Sequence, residues 1–360
     1  MTLEDLGYNN IFEEQRKQYA SDDALVARVI SESKGEYRVK NDQGEYRAKI
    51  TGKQMFEAVS REDYPAVGDW VIITQSDDEQ VVIHTVLPRV SILKRIHGDK
   101  NRSSEKNDVQ IIATNIDTAF VIESVDRDYN LNRFERYFAI AQSGGVKPVI
   151  ILNKIDLLLK EEIDARVAQL HKRFPAIDVI LTSTIDEEGL DTLRTYIVPK
   201  KTYCFLGSSG VGKSSLINKL LGEEHIKTGA VSSYSGRGKH TTTTRQMYFL
   251  ENGGIVIDNP GIREVGVVDM SEGIDVFFDE IRAIAEGCRY TDCTHTHEPG
   301  CKVVEAVRLH ELDKEKYLNY LTLKKETQYH TMSDIQKREK DRAFGKFIKK
   351  AKKDFKNLDI

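Results

Sequence analysis

"GSSGVGKSS", residues 207–215, stands between the apolar run "TYCFL" and the amphipathic "LINKLLG". Strand, glycine-rich turn and helix in that order are the setting a phosphate loop requires. Gly207, Gly212, Lys213 and Ser214 occupy its defining positions. The glycines let the backbone amides around Ser208, Ser209, Gly210 and Val211 close on a phosphate chain, with Ser215 carrying the turn into the helix. Lys213 is placed to reach the β- and γ-phosphates, and Ser214 to ligate Mg2+. A glycine-rich turn without a ligand is the competing reading, and the strand before and helix after weigh against it. The loop alone does not choose between adenine and guanine.

"NKID", residues 153–156, makes that choice. A carboxylate at Asp156 can accept from the ring NH and exocyclic amine of guanine, which adenine cannot offer. Asn153 supports recognition of O6, Lys154 covers a face of the base, and Ile155 fills the variable place. Alone, the motif resembles a capped helix start; after "VIIL" and beside a phosphate loop it becomes specific. "TST", residues 182–184, follows another strand, so the backbone near Ser183 and Thr184 can touch O6, although a plain helix cap reads equally well. "DNPG", residues 258–261, resembles the element that senses the γ-phosphate: Asp258 holds Mg2+ through water and the Gly261 amide meets the phosphate. Ile262 follows, where many GTPases carry a water-orienting glutamine, so slow basal hydrolysis is expected. His240, in the glycine- and threonine-rich "GRGKHTTTTR", is the candidate replacement, and one of Thr241–Thr243 completes the Mg2+ shell. The base motif precedes the phosphate loop by about fifty residues, the reverse of the usual order.

A chain of 360 residues with 39% apolar content allows two or three cored domains. Residues 1–100 read as a polar helix near 9–20 and then five short strands, with Asp42-Gln43-Gly44 as a hairpin turn. That pattern suggests a small closed barrel of the oligonucleotide-binding (OB) type, or a generic barrel. Residues 101–270 alternate apolar runs ("VQIIATN", "TAFVIES", "KPVIILNK", "DVILTS", "TYCFLG", "GGIVIDNPG") with helical stretches such as 131–143 and 161–173. This is the texture of a parallel α/β sheet covered on both faces. Residues 271–360 read as helices over 271–287, 302–330 and 333–353. Net charge is −4, which gives no general pull toward nucleic acid, but 337–356, "KREKDRAFGKFIKKAKKDFK", is strongly basic. No run approaches a membrane span and the start carries no basic-then-apolar signal, so a cytoplasmic monomer without a membrane partner is expected.

Three of the four cysteines fall within 14 residues. Cys288, Cys293, His295 and Cys301 make a closed tetrahedral donor set suited to one structural Zn2+, with His297 as a rival fourth ligand. Cys204, in an apolar strand, reads as a core residue.

With these motifs in this order, the chain resembles the RsgA (YjeQ) family, circularly permuted GTPases of late small-subunit assembly. The likeness spans almost the whole length. It implies an OB-type barrel, a permuted P-loop GTPase domain and a helical zinc-binding domain. It also implies hydrolysis of GTP to GDP and phosphate on the small (30S) ribosomal subunit and its 16S rRNA, with turnover stimulated by the ribosome. Two departures stand out: Asn259 where the family more often has Thr, and a longer basic tail, which points to a paralogous branch. Permutation leaves the nucleotide site intact and places "DNPG" about ten residues before the zinc module. A GTP-regulated RNA-binding adaptor with incidental hydrolysis is the alternative, and Asp156 argues against an ATP-dependent kinase or nuclease.

Overall fold

Two kinds of strand build two kinds of sheet. The computed structural model describes residues 1–97, 108–126, 129–222, 245–259 and 271–329, apart from Asp22 and Lys34, together with Gly345. Met1–Gly266 forms one compact unit and Val267–Ile360 a second.

After α1 (Asn10–Tyr19) come β1 (Leu25–Ser33), β2 (Glu36–Lys40), β3 (Glu45–Ile50), α2 (Gly52–Glu57), β4 (Trp70–Gln75) and β5 (Gln80–Val86). Tyr37 and Val39 of β2 turn inward while Glu36 and Arg38 face water, the alternation of a strand with one wet face. β1 pairs with both β2 and β4, β2 with β3, β3 with β5 and β5 with β4, so the five strands close on themselves. This is the OB-type barrel the sequence leads one to expect. Val29, Val39, Val71 and Ile83 fill it. Its β2–β3 turn is held by Asn41, whose Oδ1 accepts from the amides of Gln43 and Gly44 at 2.9 and 3.0 Å.

β6 (Ile92–His97) and β7 (Asp108–Thr114) depart from expectation. "VQIIATN" reads as a strand of the parallel sheet, yet β7 pairs antiparallel with β6 in a separate ribbon. The polar link "GDKNRSSEKN", 98–107, is the turn signal that separates these runs.

The parallel layer contains β8 (Thr118–Ser124), α3 (Leu131–Ser143), β9 (Lys147–Asn153), α4 (Lys160–Arg173), β10 (Val179–Thr182), α5 (Leu190–Tyr196), β11 (Thr202–Leu206), α6 (Lys213–Leu221), β12 (Arg245–Phe249) and β13 (Ile255–Asp258). Strand order is β10-β9-β8-β11-β13-β12, with only β12 antiparallel. The chain leaves β8 in one direction and β11 in the other. Right-handed crossovers then place the intervening helices on opposite faces and leave a switch point between β8 and β11. Leu193, Leu216 and Ile217 of α5 and α6 pack on Phe120, Ile122 and Phe205. β12 also pairs with β1 through Ser31–Gln246 and Glu32–Arg245, which joins the barrel to the sheet edge to edge. Arg28 is fully buried at this junction and donates to the carbonyls of Leu6, Gly68 and Asn115.

The second unit holds α7 (Ser271–Phe277), α8 (Asp279–Ala285), α9 (Lys302–Arg308) and α10 (Lys314–Tyr329). The run 271–287 breaks at Phe278, whose amide still donates to the Ile274 carbonyl, and its helix ends at Ala285. The run 302–330 is two helices, because His310 turns left-handed at φ 60° and Asp313 starts a new helix by accepting from the Lys316 amide at 2.7 Å. Apart from Gly345, the stretch 333–353 lies outside the described residues. Among the described residues no helix is long and apolar enough to cross a membrane.

Candidate nucleotide site and metal cluster

Every nucleotide motif within the described residues lies at the carboxyl edge of the parallel sheet. Asn153 ends β9 opposite Ser124 of β8 and Thr182 of β10, Gly207 follows β11, and Asp258 closes β13. The glycines of the loop are required by geometry. Gly207, Gly210 and Gly212 have φ of 150°, 88° and 103°. A Cβ on Gly207 would meet the Ile122 carbonyl at 2.4 Å, and one on Gly212 would meet Asn153 Nδ2 at 2.2 Å. Gly212 is therefore a glycine because of Asn153, and the two motifs are in contact.

Asn153, buried, is the joint. Its Nδ2 donates to the Val211 carbonyl at 2.8 Å, and its Oδ1 accepts from Thr182 Oγ1 at 2.9 Å. Ser183 Oγ donates to Asp156 Oδ1 at 2.6 Å and accepts from the amides of Ile185 and Asp186. One set of hydrogen bonds thus ties together three of the four sequence motifs, the phosphate loop, "NKID" and "TST". Thr182 was not singled out by the sequence, which pointed to Ser183 and Thr184; its place at the strand end, inward and beside Asn153, gives it the role. Thr184 is half-buried in the same loop.

Lys213 opens α6 and is buried. Its Nζ donates to the Gly207 and Ser208 carbonyls at 2.7 and 2.6 Å, so the loop curls around its own lysine. Burial pulls its pKa down to about 8, against the opposing charges of Asp258 and Glu123. Glu123, at the end of β8 and paired with Arg133 at 3.0 Å, is a buried carboxylate that no motif announced. Asp258 is also buried, and burial raises its pKa while Lys213 opposes the shift. Among the described residues neither of its carboxylate oxygens has a hydrogen-bond partner, nor does Asn259 Oδ1. Two unpartnered anionic oxygens beside a phosphate loop suit a hydrated divalent cation, which answers for Mg2+ with Ser214 in the first turn of α6. Asn259 Nδ2 donates to Cys204 Sγ at 2.9 Å, and burial pushes that thiol up to about 12. Cys204 is a core residue, as expected. His240, Thr241–Thr243, Gly261 and Ile262 lie outside the described residues.

In the second unit, the donor atoms of Cys288, Cys293, His295 and Cys301 all lie within 4.8 Å of one another. Cys288 Sγ and Cys301 Sγ are each 3.6 Å from His295 Nδ1 and 3.9 Å from each other. Tetrahedral Zn–S bonds of about 2.3 Å give sulfur–sulfur edges of about 3.8 Å, so the set fits zinc. His297, exposed and hydrogen-bonded to Thr296, is not in the set. His295 is left-handed at φ 59°, and Tyr317 Oη donates to its carbonyl at 2.7 Å. Burial lowers its pKa, favouring the neutral imidazole a metal needs. The amides of Lys302 and Val304 donate to Cys288 and Cys301 sulfurs, as befits thiolates.

Comparison with known proteins agrees with this geometry. The RsgA GTPase family model matches residues 86–268. The small ribosomal subunit biogenesis GTPase RsgA 2 of Listeria monocytogenes is 38% identical over 345 residues, 95% of either chain. The chain belongs to the RsgA GTPase family. It is accordingly a P-loop GTPase of permuted order, and the RsgA 2 protein of Lactiplantibacillus plantarum is 39% identical over 312 residues, 87% of this chain and 86% of that one. A model described as a 50S ribosome-binding GTPase matches residues 202–344. Among solved structures, YjeQ from Thermotoga maritima superposes with a TM-score of 0.62 at 25% identity, over 84% of this chain and 98% of its own. YloQ, a circularly permuted GTPase, gives 0.59 at 21% identity, over 85% and 96%, and shares the fold.

Proposed function

We propose that this chain hydrolyses GTP on the small ribosomal subunit late in 30S assembly, contacting 16S rRNA, with turnover stimulated by the ribosome. The observation that carries the nucleotide half is the Asn153 joint, which hydrogen-bonds the candidate base-reading motif to the phosphate-loop motif and to Thr182. In this reading Asp156 accepts from the guanine ring NH and amine, Lys154 lies over the base, and the Gly207–Ser215 loop wraps the phosphates. Lys213 exchanges its two carbonyl partners for phosphate oxygens. Ser214 and Asp258 hold Mg2+, which when bound neutralises charge on the β- and γ-oxygens. His240 orients water and the Gly261 amide meets the γ-phosphate. Cys288, Cys293, His295 and Cys301 hold one structural Zn2+.

The ribosomal half is supported by relatives that carry the name small ribosomal subunit biogenesis GTPase along nearly the whole chain. GTP turnover with purified 30S particles, with 50S particles and with neither tests it. Acceleration by 30S alone is the expected result. Equal rates in all three would favour an RNA-binding adaptor with incidental hydrolysis, and acceleration by 50S alone would redirect the partner to the large subunit.

A further inference from the structure

Lys154 has φ 62° and ψ 37°, a left-handed turn disfavoured for any residue with a Cβ. The turn swings its side chain out of line with β9 and across to the end of β8. There Lys154 Nζ meets Asp126 Oδ2 at 2.9 Å. Asp126 Oδ1 accepts from Ser124 Oγ at 2.6 Å. The two loops are also joined along the backbone, where the Val125 amide donates to the Asn153 carbonyl at 3.1 Å. The lysine and aspartate side chains are 27% and 33% exposed, so the pair is only partly open to solvent. Neither Asp126 nor Ser124 belongs to a nucleotide motif.

We propose that Asp126, oriented by Ser124, is a positioning residue for guanine recognition. It holds the Lys154 ammonium so that the butyl chain lies along the face of the base before nucleotide arrives. The inference rests on the reading of Asn153–Asp156 as the guanine loop. A free lysine samples many rotamers and loses them on binding; a tethered one has lost them already, and the gain appears as slower nucleotide release. Because Asp126 acts through Lys154, its effect falls on KM and leaves kcat nearly as it was.

The test is release of a fluorescent GDP from the full-length protein, measured for the parent, Asp126→Asn, Lys154→Ala and the double variant. Each single variant is expected to release GDP roughly fivefold faster, the scale of a partly exposed ion pair. The double variant is expected to match Lys154→Ala alone, since the aspartate has nothing left to hold. The gap between parent and Asp126→Asn should narrow at about 1 M salt, where the pair is screened. Ser124→Ala, which keeps both charges, should give a smaller change of the same sign. Faster release in Lys154→Ala but not in Asp126→Asn, or additive effects in the double variant, would overturn the positioning role and leave the guanine reading standing. Unchanged release in Lys154→Ala would overturn both. A lower melting temperature for nucleotide-free Asp126→Asn without faster release would reduce the aspartate to a structural part and also overturn the proposal.

Discussion

The proposed base-reading loops and the corner at Asp258 share one edge of one sheet, yet they are finished to different degrees. Around the base site, both amide atoms of Asn153 are bonded, Thr182 is spent on it, and the Ser183 hydroxyl both donates and accepts. At the corner, three buried oxygens of Asp258 and Asn259 have no partner among the described residues. A buried polar group left unsatisfied costs about 1–3 kcal/mol, so the corner is a local weakness that the rest of the fold sustains. The contrast follows from what each half must do. Base recognition works best when its geometry exists before the ligand; phosphate and cation chemistry needs oxygens that the protein itself leaves free. The cysteine cluster is the extreme of the second kind, four donors gathered closely enough to hold a metal ion.

The cluster should therefore show the largest effect. Structural zinc contributes about 10–16 kcal/mol to small metal-dependent folds. The purified protein is expected to hold one zinc per chain by elemental analysis, and Cys293→Ser to lose it. Amide exchange should then accelerate through α7 to α10, while GDP binding by Met1–Gly266 survives. Protein without stoichiometric zinc would dispose of the assignment.

Asp156→Asn probes the finished half. An amide presents a donor where guanine needs acceptors, at a cost on the order of 2–4 kcal/mol in GTP affinity. A variant that still prefers GTP to ATP as strongly as the parent would show that Asp156 does not read the base. Asp258→Asn probes the unfinished half, with effects of opposite sign. Replacing a buried, unpartnered carboxylate by a neutral amide should raise the melting temperature of the nucleotide-free protein, by about 1 kcal/mol in stability. Turnover with Mg2+ should fall by about two orders of magnitude. If stability and turnover fall together, the corner is not waiting for a ligand and the comparison fails.

Much of this site is legible in the sequence, because its motifs are defined by backbone requirements. Gly207 and Gly212 are read from spacing alone, and the structure supplies the reason: no Cβ fits beside Ile122 or Asn153. The cysteine spacing likewise names the donors that the fold gathers, and only folding separates His295 from His297. What stays hidden are side chains that act by position in space. Glu123 and Asp126 belong to no motif, and Thr182 opens "TST" without being the member that the motif marks; each matters because a strand end delivers it beside a motif residue from elsewhere in the chain. In the fold, β7 misleads because its apolar run suits a central strand as well as a hairpin, and periodicity cannot separate the two. The break before α10 was in principle readable, since Asp313 three residues before Lys316 is a capping position, but the continuing apolar period masks it.

The smallest expected effect is one of pH, and it tests the curled lysine. Burial sets Lys213 near 8 in the free protein, below its ordinary value of about 10.4. Below pH 8 the fold carries the full penalty of a buried ammonium; as pH rises from 8 toward 10.4 the folded lysine is neutral while the unfolded one is still charged, so this contribution to stability improves. Nucleotide affinity moves the other way. Phosphate demands the ammonium, so above pH 8 binding must take up a proton and GDP affinity should decline toward about tenfold per unit. Guanosine, which lacks phosphate, provides the control, because any titration of the base itself affects both ligands alike. The ratio of GDP to guanosine affinity, measured from pH 7 to 9, should stay level to about 8 and then drop. A ratio flat across that range would mean that Lys213 keeps its proton in the free loop, and that the phosphate half is as well prepared for its ligand as the base half.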